Sequence, residues 1–407
     1  SLTFTARGTV DETIFSRVLV CQDDNDDGIL DASELAAPEG TAQPGFPSND
    51  GTLTVALGTG VTVAAGSSTQ FFVVLDGTGI TTTKAMIGQT VDIRVTSAAA
   101  IGAVDASNSQ AITPTGNFTD IFGPVRLGIH DHLLISEVAY FGTEFIEIFN
   151  PTPLTVAINA YHLTDSAFTG GAVQNGGTGT NHKYWLLPTG DGFGPAAATN
   201  TSDFSVRFPA NAQMAPGEVI VVAIDGTDFN AVYGAGLPAG TQVFALRDVA
   251  TGQTQMRTWD GAALLNFAQN PVSAQVTLTD TGEGVILFFW QGQAALDLVT
   301  DIDYVFWVAA GDNGTNTRTV KTGEMVDGPD GGAVNVAGDT STFNMETASG
   351  SQARIGATNS TSIERTNYNE GNENQANGNG VGGDDETSED WNNTFRVTTA
   401  ATPGRVP

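Results

Sequence analysis

Asp23, Asn25, Asp27, Ile29, Asp31 and Glu34 stand at positions 1, 3, 5, 7, 9 and 12 of one twelve-residue stretch, with Gly28 at position 6. Asp23, Asn25, Asp27 and Asp31 offer side-chain oxygens there. Ile29 offers its main-chain carbonyl, and Glu34 a carboxylate that can bind through both oxygens. Gly28 permits the sharp turn that such a loop needs. Hard oxygens at this spacing are what calcium takes. The competing reading is an acidic, solvated turn that holds no ion.

A loop of this kind ordinarily joins two helices. Here the residues before it, Thr13–Cys21, are rich in β-branched and apolar types, which predicts a strand. The residues after it, Leu35-Ala-Ala-Pro-Glu-Gly, are broken by Pro38 and Gly40. The pattern predicts a calcium loop set in a β-domain, not a regulatory helix pair. Calcium as the cofactor in turn implies a compartment where that ion is plentiful, outside the cell.

Other residues with chemical capacity are less sharply patterned. His130-Asp131-His132 puts two imidazoles on one face of a strand, a geometry open to zinc, although a surface pair is the simpler expectation. Asp297, Asp301 and Asp303 form a loose acidic group. Residues 364–390 are rich in carboxylates, Asn and Gly, with Arg365 as the single cation. Glu370/Glu373 and Asp384/Asp385/Glu386/Glu389/Asp390 could wrap a cation, or the stretch is a solvated loop. Glu137 and Glu147 read as architectural, since no nucleophile or histidine stands beside them. The lone Cys21 precedes the acidic loop, where negative charge disfavours a thiolate. Sequons stand at Asn117, Asn200, Asn313, Asn359 and Asn392.

The elements that must position these groups are strands. Segments such as Leu53–Leu57, Gln70–Leu75, Val91–Val95, Glu218–Ala223 and Gly284–Trp290 are separated by Gly, Asn, Asp and Pro clusters. The 49 glycines fit frequent turns, and the only helix-like stretch lies near Asp228–Gly234. This predicts an all-β chain of packed antiparallel sheets, in two β-sandwich domains. Residues 1–126 form a sandwich module with the calcium loop, and residues 127–407 form the second domain.

Composition narrows the setting. Forty-five acidic and 15 basic residues give a formal charge of -30, which repels nucleic acid and anionic membrane and attracts divalent cations. One cysteine allows no intrachain disulfide. A chain of 407 residues can instead bury a large core. No apolar run long enough to span a bilayer is present, so no membrane insertion is expected. The first residues, Ser1-Leu-Thr-Phe, resemble a processed N-terminus.

The second domain carries a family resemblance. Leu133-Leu-Ile-Ser-Glu-Val138, Glu144-Phe-Ile-Glu-Ile-Phe-Asn-Pro151 and Ile158–Asp165 resemble the opening of a lamin-tail domain. Val206–Val222 with its Pro-Gly turn, Leu278–Leu287, Ser362-Ile-Glu-Arg365 and Thr402-Pro-Gly404 follow in the family's order. The resemblance covers about residues 130–407 and implies an immunoglobulin-like β-sandwich of a kind found in secreted bacterial proteins. It is elaborated here by long insertions at 166–205, 234–275 and 309–361. The family's motifs speak to fold, not to activity.

No phosphate loop, nucleophile elbow, metalloprotease helix or redox pair is present, so no enzyme is expected. The leading expectation is a secreted, non-catalytic structural protein of a bacterial cell surface. It would bind copies of itself in a filament, sheath or surface layer stabilised by calcium. Ser1–Ala6 could donate a strand to a neighbour, or simply form the first strand of its own domain. The alternative is an adhesin or glycan-binding module using Tyr184, Trp185, Trp259, Trp307 or Trp391 as stacking surfaces. A third reading is a hydrolase accessory protein.

Overall fold

Alternation along each strand decides the layering, because successive side chains point to opposite faces. The computed structural model describes the chain except residues 27, 59–60, 78–85, 117, 119–124, 129, 166–183, 190–202, 260–266, 269–271, 273, 275, 281, 292–297, 310–318, 320, 328–339, 349–350, 358–361, 369–376 and 406–407. The fold is all-β and of β-sandwich type. It divides into two compact units, Ser1–Gly128 and Ile129–Pro407.

In the first unit a four-stranded sheet and a three-stranded sheet enclose one core. Strand Leu2–Gly8 lies inside the four-stranded sheet, paired on one side with Thr52–Val55 and on the other with Thr90–Arg94. Its Phe4 and Ala6 meet Val18 and Val20 of the second sheet's strand Arg17–Gln22. Of the two alternatives for Ser1–Ala6, the structure has the first strand of its own domain. Both edges of that strand are used within the unit, and withdrawing it would open the core. Arg17–Gln22 also pairs with Phe71–Asp76 across six residue pairs.

The second unit is a sandwich of two seven-stranded sheets. Ile146 and Ile148 of strand Phe145–Phe149 face the main core, together with Leu163, Val206, Val285 and Trp307. The opposite face is also covered. Phe145 meets Phe229 and Tyr233 edge-on, at ring separations of 5.6 and 5.5 Å. Those two rings belong to the helix Gly226–Tyr233, whose first turn is capped by the Asp225 carboxylate. The strand ends at Phe149, before Asn150-Pro151, and the buried Asn150 amide donates to the carbonyls of Leu154, Met214 and Ala215. In the adjoining turn Pro216 and Gly217 occupy the middle, with Gly217 at φ 72°.

The sheets are not purely antiparallel as expected. Val219–Asp225 and Gln242–Arg247 run parallel because the helix Gly226–Tyr233 carries the chain across between them. Thr300–Ala309 and Ile355–Ala357 are also parallel. Two of the long connections contribute strands. The stretch 234–275 supplies edge strands to both large sheets, and 309–361 supplies the antiparallel pair Met325–Asp327 and Thr340–Thr342.

Candidate metal centre

The loop between Gln22 and Ala37 is built from its two ends. Strand Arg17–Gln22 delivers Asp23, whose main-chain N–H donates to the Gln70 carbonyl at 3.1 Å. At the far end, Asp31 caps a one-turn helix, Ala32–Ala36, which replaces the irregular exit expected from Pro38 and Gly40. Those two breakers instead end the helix after a single turn. Asp31 Oδ1 accepts from Ser33 N–H at 2.7 Å, Ser33 Oγ–H at 2.6 Å and Glu34 N–H at 3.0 Å. The Ser33 hydroxyl and the helix amides hold the Asp31 carboxyl below its ordinary range.

Glu34 closes the circle. Its Oε1 accepts the Asp24 N–H at 2.9 Å, and its Oε2 accepts the Asp31 N–H at 3.1 Å. Asp23 Oδ2 accepts the Gly28 N–H at 2.9 Å, the bond that pulls position 6 under position 1. Gly28 sits at φ 76° and Asp26 at φ 58°, so the chain reverses through two left-handed residues. Asp23 and Glu34 are 2% and 3% exposed, whereas Asn25 and Ile29 face solvent. Asp27 lies outside the described residues. The donor set fits calcium: each carboxylate oxygen of Glu34 spends one lone pair on an N–H and keeps another. Beside the loop, burial pushes the Cys21 thiol up, and the Glu34 and Glu39 carboxylates push it further.

The other suspected groups have different partners. Asp301 and Asp303 flank a bulge in strand Thr300–Ala309 and meet side-chain cations. Lys321 Nζ lies 2.6 Å from Asp301 and also binds Glu346, while the Tyr184 hydroxyl donates to Asp301 at 2.8 Å. Arg365 lies 2.6 Å from Asp303 and 3.2 Å from Glu389, and covers the Phe395 ring at 4.5 Å. Lys321 and Arg365 are fully buried. Asp297, Glu370 and Glu373 lie outside the described residues.

A solvated loop at 364–390 is overturned over its described part. Asp384, Asp385, Glu386 and Glu389 are buried. Asp385 accepts from Thr347 N–H at 2.8 Å, and Glu389 accepts the Trp391 indole N–H at 2.6 Å.

Glu137 and Glu147 face each other across neighbouring strands, with Glu364 next in the row. Glu147 accepts from the Ser136 hydroxyl and the Gly404 N–H, both at 2.6 Å. Glu137 accepts from the Ser362 hydroxyl at 2.6 Å and the Thr402 N–H at 3.0 Å. The carboxylates thus latch Thr402–Gly404 onto the sheet. Burial lifts the Glu147 carboxyl to about 8, against the pull of the Ser136 bond, and Glu137 adds to the rise.

His132 is buried, not the surface residue expected, and its Nδ1 lies 3.0 Å from Asp131 Oδ1. His130 Nδ1 lies 3.1 Å from the same oxygen. His162 is stacked on Phe288 at 4.8 Å, and burial holds it neutral. One acidic group escaped notice in the sequence. Asp165, Asp203 and Glu283, from three neighbouring strands or their ends, place carboxylate oxygens within 4.8 Å of one another.

No protein-family model matches the sequence, and no curated protein matches it. A solved structure of a DUF4876 family protein from Bacteroides thetaiotaomicron aligns over 97% of this chain and 92% of that one. Its identity to this chain is 13% and the TM-score is 0.32, which carries no argument about either protein's role.

Proposed function

We propose that this chain is a non-catalytic extracellular structural protein of a bacterial surface, associating with copies of itself and stabilised by calcium at Asp23, Asn25, Asp27, Ile29, Asp31 and Glu34. The second unit is read as an elaborated lamin-tail-type sandwich. The observation that carries the calcium assignment is the loop frame: its first and last ligand residues are both buried and their carboxylates accept main-chain N–H groups of the loop. A binding-ready loop of carboxylates costs stability through mutual repulsion unless a cation offsets it.

Self-association has separate support. Strand Phe71–Asp76 is an edge whose first five residues are apolar, and among the described residues no strand pairs with its outer side. It carries no proline or lysine of the kind that blunts such edges. At a net charge of -30, copies repel one another until divalent cations bind. Of the aromatics named for the glycan reading, Tyr184, Trp185, Trp307 and Trp391 are fully buried, which weighs against a stacking row built on them, and the Trp259 side chain lies outside the described residues.

Negative-stain electron microscopy with calcium and after chelation tests the proposal. Filaments or sheets that dissolve on chelation are the expected result. Monodisperse particles in both conditions would overturn self-assembly and leave calcium as a stabiliser of a monomer.

A further inference from the structure

The second unit holds an acidic cluster built by register. Asp165 directly follows strand Tyr161–Thr164, the middle strand of three. Glu283 lies on one neighbour, Gly282–Phe289, and Asp203 stands just before the other, Ser205–Arg207. One oxygen from each carboxylate comes within 4.8 Å of the others.

Two features separate this cluster from a solvated acidic surface. Asp165 is only 6% exposed. Its Oδ1 accepts the Phe204 N–H at 2.6 Å, but its Oδ2, fully shielded from solvent, has no hydrogen-bond partner among the described residues. A buried acceptor left unmet costs free energy, so it calls for a partner that the described residues do not supply. Glu283 is anchored by the Thr279 N–H at 2.5 Å. No lysine or arginine is paired with Asp165 or Glu283 among the described residues, in contrast to Asp301 and Asp303 nearby in sequence.

We infer that Asp165, Asp203 and Glu283 form a second divalent-cation site, of the calcium class, which ties together the ends of three strands in the second unit. The ligands are all hard oxygens, with no thiol or imidazole in the group, which excludes a zinc preference. Oxygens up to 4.8 Å apart can surround an ion with bonds of about 2.3–2.6 Å, since opposed ligands then lie about 4.6–5.2 Å apart. Asp165 supplies the unmet Oδ2, Asp203 the solvent-facing ligand, and Glu283 the ligand fixed by Thr279. The inference is independent of the loop at 23–34 and of any assembly.

Terbium serves as the probe, because tryptophan sensitises its emission when close. Residues 1–128 contain no tryptophan or tyrosine, and Trp307 donates its indole N–H to the carbonyl of Thr279, the residue that anchors Glu283. The full chain carrying Asp23→Asn and Glu34→Gln, which silences the loop, is excited at tryptophan. Calcium-displaceable emission is expected, with about tenfold weaker binding on adding Asp203→Asn, a half-exposed change that leaves the core intact. Asp165→Asn should do the same if it folds. Absence of sensitised emission in the loop-silenced chain, with its near-ultraviolet dichroism unchanged, would overturn the site. Emission indifferent to Asp203→Asn would place the ion elsewhere and overturn it equally.

Discussion

Glu34→Gln separates the two roles of the loop's last ligand. Without calcium, glutamine still accepts one main-chain N–H but turns an amide NH2 toward the other, of Asp24 or Asp31. One hydrogen bond is lost, about 1 kcal/mol. With calcium the variant also loses the bidentate anion. A site with Kd near 0.1 mM in about 10 mM calcium contributes about 2.7 kcal/mol through linkage. For domains of this size each kcal/mol moves the midpoint by about 2–8 °C, so calcium should raise the first unit's Tm by roughly 5–20 °C. The variant should lack most of that rise. Fluorescence is blind to this unit, which has no tryptophan or tyrosine, but Cys21 is the chain's single thiol and is fully buried on the strand leading into the loop. Its labelling by a thiol reagent during a thermal ramp therefore reports opening of the first unit alone. A wild-type Cys21 midpoint that does not move between chelator and calcium would refute the metal assignment.

Lys321→Met should cost about 3–5 kcal/mol, because Asp301 and Glu346 remain buried without their cation. The readout is the urea midpoint followed by tryptophan emission, and an unchanged midpoint would show that the pair sheds its charge cheaply. Glu147 has a folded carboxyl near 8 against an ordinary 4.5, so the folded state keeps a proton that the unfolded chain releases. Its contribution is complete below the ordinary value and is lost as pH rises through about 8. Glu147→Gln should remove that decline, and a variant with the wild-type pH profile would reject burial as its cause. A β-carbon at Gly284 would fall 1.9 Å from the Phe306 ring, its cross-strand partner. Gly284→Val should therefore lower stability by about 1–3 kcal/mol or more by overpacking, checked by calorimetry of the second unit's transition.

What was legible in the sequence was local. The twelve positions from Asp23 to Glu34 are neighbours along the chain, so their spacing alone predicts a ring of oxygens. Phe145–Phe149 alternates in sequence, and its two faces separate as alternation demands. The exit helix was missed because Pro38 and Gly40 stop it, whereas the Asp31/Glu34 capping box that starts it stands inside the ligand pattern. Asp165, Asp203 and Glu283 could not be read, since only the pairing of three strands brings them together. The same holds for Arg365 with Asp303 and Glu389: an acidic stretch with one arginine reads as solvated until the fold buries that arginine. The parallel pairing of Val219–Asp225 with Gln242–Arg247 rests on an eight-residue helix too short for periodicity to separate from a turn.

The latch on Thr402–Gly404 has a consequence for how the second unit is made and unmade. Strand Leu134–Ala139 lies between Phe145–Phe149 and Ser362–Arg365, and the latter pairs onward with Phe395–Thr398. The sheet is stitched from both extremes of the unit, so it cannot close until the chain has been synthesised to Gly404. Such non-local pairing makes acquisition of structure slow, and a large barrier to opening accompanies it. A protease that cuts within one of the long connections would release no fragment: the two pieces would remain interlocked by the central strands, as a nicked but intact body.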